Sequence, residues 1–158
     1  MNHILNKKRQ LFVAYPWKEK KALYDEILSN FTNEWDIRHG KDVTKADESS
    51  SEIEMFRNRN KLLYDVFVSG IEKCEVFIAD LTGANANVML ELGIAMKLSK
   101  NVLLVSSDDP HNLPFDIKGF EVNKYTNKAE LSKIIENQLR LFLRIKSRST
   151  FKLSGSFV

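Results

Sequence analysis

The stretch that most restricts what this chain can become is Val76-Phe-Ile-Ala-Asp-Leu-Thr-Gly-Ala-Asn-Ala-Asn-Val-Met-Leu-Glu-Leu-Gly-Ile-Ala95. It opens on a short apolar run, Val76 to Ala79, of the kind buried on both faces in a parallel sheet. The run stops at a carboxylate, Asp80, and Thr82-Gly83-Ala84-Asn85 then supplies turn and cap residues. Beyond the turn the apolar period becomes helical, with Val88, Leu92, Ala95 and Met96 on one face. Asp80 therefore falls at a strand end, while Asn87 and Glu91 lie four residues apart on the first turns of the next helix. Open α/β sheets bind ligands outside the carboxyl ends of their strands, so these three polar groups are expected at a binding edge.

The same alternation runs through the rest of the chain. Gln10-Leu-Phe-Val-Ala-Tyr15 is apolar on both faces and is predicted as a central strand, ended by Pro16, which cannot donate to a ladder. Helical spacing follows at Leu23, Tyr24, Ile27, Leu28 and Phe31, then a short second strand at Trp35-Asp-Ile-Arg38. Residues 39–55 hold almost nothing apolar and read as a loop near the ligand edge, either simply exposed or a lid over substrate. From Phe56 to Cys74 a helix is expected, with Gly70 as a close-packing position and Arg57, Arg59 and Lys61 as a basic face. Asn101 to Val105 and Phe120 to Tyr125 are the last two strands, and Leu131, Ile134, Ile135, Leu139, Phe142 and Ile145 mark a final amphipathic helix. Five strands alternating with helices predict a flavodoxin-like three-layer α/β/α sandwich with a parallel sheet of order 2-1-3-4-5. The domain should span 10–148, between a flexible N-terminus (1–9) and a loose tail (149–158). Its switch point, between strands one and three, sets Tyr15-Pro16-Trp17 across a crevice from Asp80-Leu81-Thr82-Gly83.

Composition removes several function classes. A chain of 158 residues with 43% hydrophobic content is one ordinary domain, and a net charge of +3 is too mild to indicate nucleic acid. The solitary Cys74 excludes an internal disulfide and reads as a small buried residue of a reducing compartment. No apolar run is long enough for a signal peptide or a membrane span, so the expected location is cytoplasmic. His3, His39, His111 and Cys74 are too scattered to hold a metal, and neither a Gly-rich phosphate loop nor a Ser-His-Asp set is recognisable. What remains is carboxylates beside aromatics. A carboxylate can attack an anomeric carbon or stabilise the cation left when a sugar loses its leaving group, and a second acid can protonate that group. Aromatic faces stack a flat heterocycle. Those parts describe cleavage of an N-glycosidic bond.

Ile78-Ala-Asp-Leu-Thr-Gly-Ala-Asn-Ala-Asn-Val-Met-Leu-Glu-Leu-Gly-Ile-Ala95, followed by Lys100-Asn-Val-Leu-Leu-Val105 and Pro114-Phe-Asp-Ile117, resembles the superfamily that joins nucleoside 2-deoxyribosyltransferases and TIR-like domains. The resemblance runs in outline from Phe12 to Tyr125. It implies a flavodoxin-like fold, a small-molecule substrate (a nucleoside, nucleotide or NAD), no separate cofactor, and self-association into a homo-oligomer. It also places the chemistry on Glu91, as nucleophile or cation stabiliser, and gives Asp80 contact with the base and its proton. The chain departs from the family pattern at Ala86, where many relatives have proline, and at Leu90, where an aromatic is usual.

The expected site is thus Glu91 and Asp80 as catalytic groups, with Tyr15, Pro16, Trp17, Thr82, Gly83, Asn87, Phe115 and Asp116 around the substrate. Asn87 also fits a helix cap, and Pro114-Phe-Asp also fits a turn. A non-catalytic nucleotide sensor or TIR-like assembly module, with a place in bacterial defence, is the alternative. Nucleic-acid binding through Arg140, Arg144, Lys146, Arg148 and Lys152 is weaker, because only Phe142 and Phe151 interleave with that basic end.

Overall fold

Five strands line up in parallel in the computed structural model, which describes residues 8–40, 65, 68–117 and 119–154. They are β1 (Arg9–Ala14), β2 (Trp35–Arg38), β3 (Val76–Asp80), β4 (Asn101–Ser106) and β5 (Val122–Lys124), in the order β2-β1-β3-β4-β5. The architecture is the flavodoxin-like α/β fold expected from the alternation. β1 lies between β2 and β3, so the chain leaves β1 in one direction along the sheet and returns on its other side, which makes the β1/β3 boundary the switch point.

The centre of the sheet is where the longest apolar runs went. Every residue of β3 is buried, as are Leu11 to Ala14 of β1. Register pairs Leu11 with Val76 and Ala14 with Ala79, so Phe12 falls opposite Phe77, and their rings stack with centroids 5.4 Å apart. Gly70, in the helical residues 68–73, passes over this pair: a Cβ there would sit 3.3 Å from Phe12. The close-packing role expected of Gly70 follows from that approach. The Arg57, Arg59 and Lys61 face and residues 41–55 of the loop lie outside the described residues.

Helix α1 (Trp17–Ser29) buries Tyr24, Ile27 and Leu28, and α2 (Ala86–Lys97) buries Val88, Leu92 and Ala95. The cap of α2 is Asn85, whose side chain accepts from the backbone N–H groups of Asn87 and Val88. Asn87 is therefore not the cap; it stands exposed one residue inside the helix. The reason is the turn: Gly83 and Ala84 both take positive φ (69° and 46°), so the chain enters the helix one step after Ala84.

The chain divides into two compact units, Met1–Lys124 with the sheet and Tyr125–Val158 with the last helix. That helix, α3 (Lys128–Ser154), starts with Asn127 accepting from the Glu130 N–H while Glu130 accepts from Thr126. It carries the buried stripe Leu131, Ile135, Leu139 and Phe142. The helix continues through Ser154, and no glycine or proline intervenes before Gly155. Among the described residues no helix is long and apolar enough to cross a membrane.

Candidate active site

Asp80 ends β3 fully buried, and such a carboxylate must collect donors to stay charged. It has four. One oxygen accepts from the Thr82 N–H (3.0 Å) and the Thr82 hydroxyl (2.5 Å). The other accepts from the Tyr24 hydroxyl at 2.9 Å and lies 3.6 Å from the Lys20 ammonium. Lys20 and Tyr24 are four residues apart on α1, so one helical face delivers both to the strand end. The ammonium of Lys20 also donates to the Ser107 hydroxyl at 3.1 Å, which lies 3.1 Å from the Thr82 hydroxyl. Because Thr82 spends its one proton on Asp80, the donors run in one direction, Lys20 to Ser107 to Thr82 to Asp80. Next to this chain the Gly83 N–H donates to Asp108 at 2.7 Å, binding the β3 turn to the β4 turn.

The aromatic residues beyond β1 pack on one another. Tyr15 is buried and stacks on Tyr24 (centroids 4.3 Å, 10°) and on Trp17 (5.5 Å, 18°). Trp17 is half-buried and carries the Lys21 ammonium 5.4 Å from its ring centroid. Tyr15 therefore belongs to the interior of the stack and offers no face to a ligand, and Trp17 is its outer ring. Pro16 is buried at the N-cap of α1, where it ends β1 and sets the angle at which that helix leaves. His39, just after β2, meets Tyr15 and Trp17 edge-on, with Nδ1 3.4 Å from the Val13 carbonyl.

Glu91 is the other carboxylate, and its surroundings are the reverse of those of Asp80. It lies in the second turn of α2, beyond the first-turn N–H groups that stabilise a negative charge. Its carboxylate rests against the backbone of Gly40, where a Cβ would come within 2.3 Å of Oε1. Among the described residues burial is what acts on it, with no offsetting charge or hydrogen bond, and raises its pKa from 4.5 to about 7. The carboxylate is thus poised to gain or lose a proton near neutrality.

Of the residues expected from sequence, Asp80 and Thr82 are joined by hydrogen bonds with Gly83 bonded to Asp108 beside them, and Tyr15 and Trp17 stack on either side of the turn at Pro16. Phe115 and Asp116 form a short 3-10 turn closed by the Ile117 N–H on the Pro114 carbonyl, with Asp116 exposed. Lys20, Tyr24, His39, Gly40, Ser107 and Asp108 were not anticipated. A signal existed for the first two, since a buried strand-end aspartate needs donors and α1 is the neighbouring helix. Gly40 carried a weaker one, as a glycine two residues after a strand.

The sequence matches no protein-family model and no curated protein. Solved structures do match. The CMP N-glycosidase BcmB of Clostridium botulinum aligns over 81% of this chain and 98% of its own, with TM-score 0.55 and 14% identity. A 2-deoxyribosyltransferase of Leishmania mexicana covers 81% and 97%, at TM-score 0.51 and 18% identity. The chain has the fold of the nucleoside 2-deoxyribosyltransferases. That of Bacillus psychrosaccharolyticus agrees, with TM-score 0.56 at 12% identity over 78% of this chain and 90% of its own. At these identities it is the path of the backbone that is shared. The residues of the site must be argued from their own geometry.

Proposed function

We propose that this protein breaks the N-glycosidic bond of a nucleoside or nucleotide, by hydrolysis or by transfer of the sugar, with Glu91 as the nucleophile. One observation carries the reading. Glu91, half-buried on the helix after β3, sets its carboxylate against the backbone at the exit of β2, and no counter-charge meets it among the described residues. An uncompensated, desolvated carboxylate loses little solvation when it meets a cation-like anomeric carbon, and gains strongly from the charge. The Glu91 carboxylate bonds to the anomeric carbon as the C–N bond breaks, the base leaves with that electron pair and takes a proton from solvent, and water or a second base then displaces Glu91 from the sugar.

Trp17 is the outer ring that a base would stack on, after the exposed Lys21 swings off its face. Asp80, enclosed by Thr82, Tyr24 and Lys20, supports the site by fixing those groups rather than by delivering a proton. The fold shared with a CMP N-glycosidase and two deoxyribosyltransferases supports the substrate class. NAD belongs in the same test because it carries the same kind of bond.

The experiment is product analysis of concentrated protein with NAD, deoxynucleosides, ribonucleosides and their monophosphates, wild type beside Glu91→Gln. Release of a free base, or of nicotinamide, by wild type alone is the expected result. Saturable binding with no product from any substrate would move the chain to the sensor or assembly reading.

A further inference from the structure

We propose that Gly40 is the positioning residue for Glu91: the bare backbone at the exit of β2 selects the side-chain conformer that presses the carboxylate against the chain and away from water. The inference rests on Glu91 being the reacting group and adds what holds it. Nothing in the local backbone demands a glycine at position 40. Among the described residues the one glycine with positive φ is Gly83, so Gly40 sits in a conformation open to alanine. The demand comes from across the site, because a Cβ on Gly40 would stand 2.3 Å from Glu91 Oε1 and 3.3 Å from its Cδ. Real Cβ atoms do not approach that closely, and the group that must yield is the end of a flexible side chain. An alanine is therefore cheap for the fold and disruptive for the carboxylate.

The neighbouring residue keeps this backbone in place. His39 packs edge-on against Tyr15 and Trp17, and its Nδ1 lies 3.4 Å from the Val13 carbonyl of β1. Gly40 thus follows directly on a side chain anchored to the central strand. Anchor and bare backbone together form a seat for the Glu91 carboxylate, and burial in that seat is what holds its proton affinity near neutrality. No charged group among the described residues contributes to the shift, so geometry at the seat is the lever available to a mutation.

The test is Gly40→Ala, read by carboxyl 13C NMR titration of Glu91, with thermal stability measured in parallel. The expected result is a fold no less stable than wild type and a Glu91 midpoint falling from about 7 toward the ordinary carboxylate range near ~4.3. On the substrate found active, kcat should drop at least tenfold with KM little changed, and adding Gly40→Ala to Glu91→Gln should cost nothing further. An unmoved Glu91 titration overturns the proposal, whether or not activity changes. So does a variant that loses stability while the midpoint stays, since that is a packing role. If Glu91→Gln retains full activity while Gly40→Ala still shifts the titration, the seat stands and the catalytic assignment falls.

Discussion

Two carboxylates eleven residues apart in sequence, Asp80 and Glu91, have been treated by the fold in opposite ways. Asp80 is fully buried yet met by two donors on one oxygen and by a hydroxyl and an ammonium on the other. Glu91 is less completely enclosed and lies against the backbone of Gly40, with no charged partner among the described residues, and burial lifts its pKa to about 7. A satisfied carboxylate is a structural charge, because its oxygens have no capacity left for a reacting group. An unsatisfied one is a reactive charge, held at a cost that only substrate removes. Depth of burial does not tell the two apart; the partners do.

The sharpest way to break this contrast is Glu91→Gln. It keeps the shape and removes the nucleophile, so turnover should fall by about 10³-fold or more while the protein stays folded. Full activity in that variant would leave the reactive-carboxylate assignment without support. The kcat/KM profile of wild type sharpens it further. A nucleophile must be ionised, so activity should rise with pH through about 7 and level above it; a profile falling through that midpoint would instead make Glu91 the acid.

Asp80→Asn probes the other side. It removes the charge that answers Lys20, whose side chain is largely buried, and it turns two acceptor positions into donors facing Tyr24 and Lys20, or Thr82. Breaking a buried pair in this way should cost about 3 kcal/mol of unfolding free energy, measured by denaturant titration. A variant as stable as wild type would mean that Asp80 is not the anchor of this edge.

The next effect follows from proton linkage. Because the folded pKa of Glu91 is raised, folded protein holds a proton that the unfolded chain gives up above about 4.5. Wild-type stability should therefore decline between pH about 4.5 and about 7, and the Gln variant should escape that decline. Glu91→Gln is thus expected to match wild type at pH 4 and to exceed it at pH 8 by on the order of 2 kcal/mol. Parallel stability curves for the two proteins would show that Glu91 is solvated in the folded state.

What the sequence made legible, and what it hid, divides along the same line. The order of the sheet could be read because Val76-Phe-Ile-Ala79 and Gln10 to Ala14 are apolar on both faces, which only central parallel strands require. Asp80 and Glu91 could be placed because a change of period from two to 3.6 puts one at a strand end and the other on the helix after it. Their partners could not, since they come from residues 20, 24 and 40, and pairing across that distance leaves no periodic trace. The packing of Tyr15 was hidden for a related reason. A strand-end tyrosine reads the same whether its ring faces a ligand or another ring, and the Tyr24 side chain decides the matter.

Tyr24→Phe is the smallest of these changes and the most selective. It deletes one hydroxyl from the Asp80 cluster and keeps the ring that stacks on Tyr15. Asp80 retains the Thr82 N–H, the Thr82 hydroxyl and Lys20, so the loss should be about 1–2 kcal/mol, the worth of one hydrogen bond to a charge. Turnover should change by no more than a few fold, because the hydroxyl acts on the structural carboxylate and leaves Glu91 untouched. A large fall in kcat with little change in stability would be the more instructive result. It would mean that the Asp80 cluster reaches the reacting groups directly, and the division between the two carboxylates would have to be redrawn.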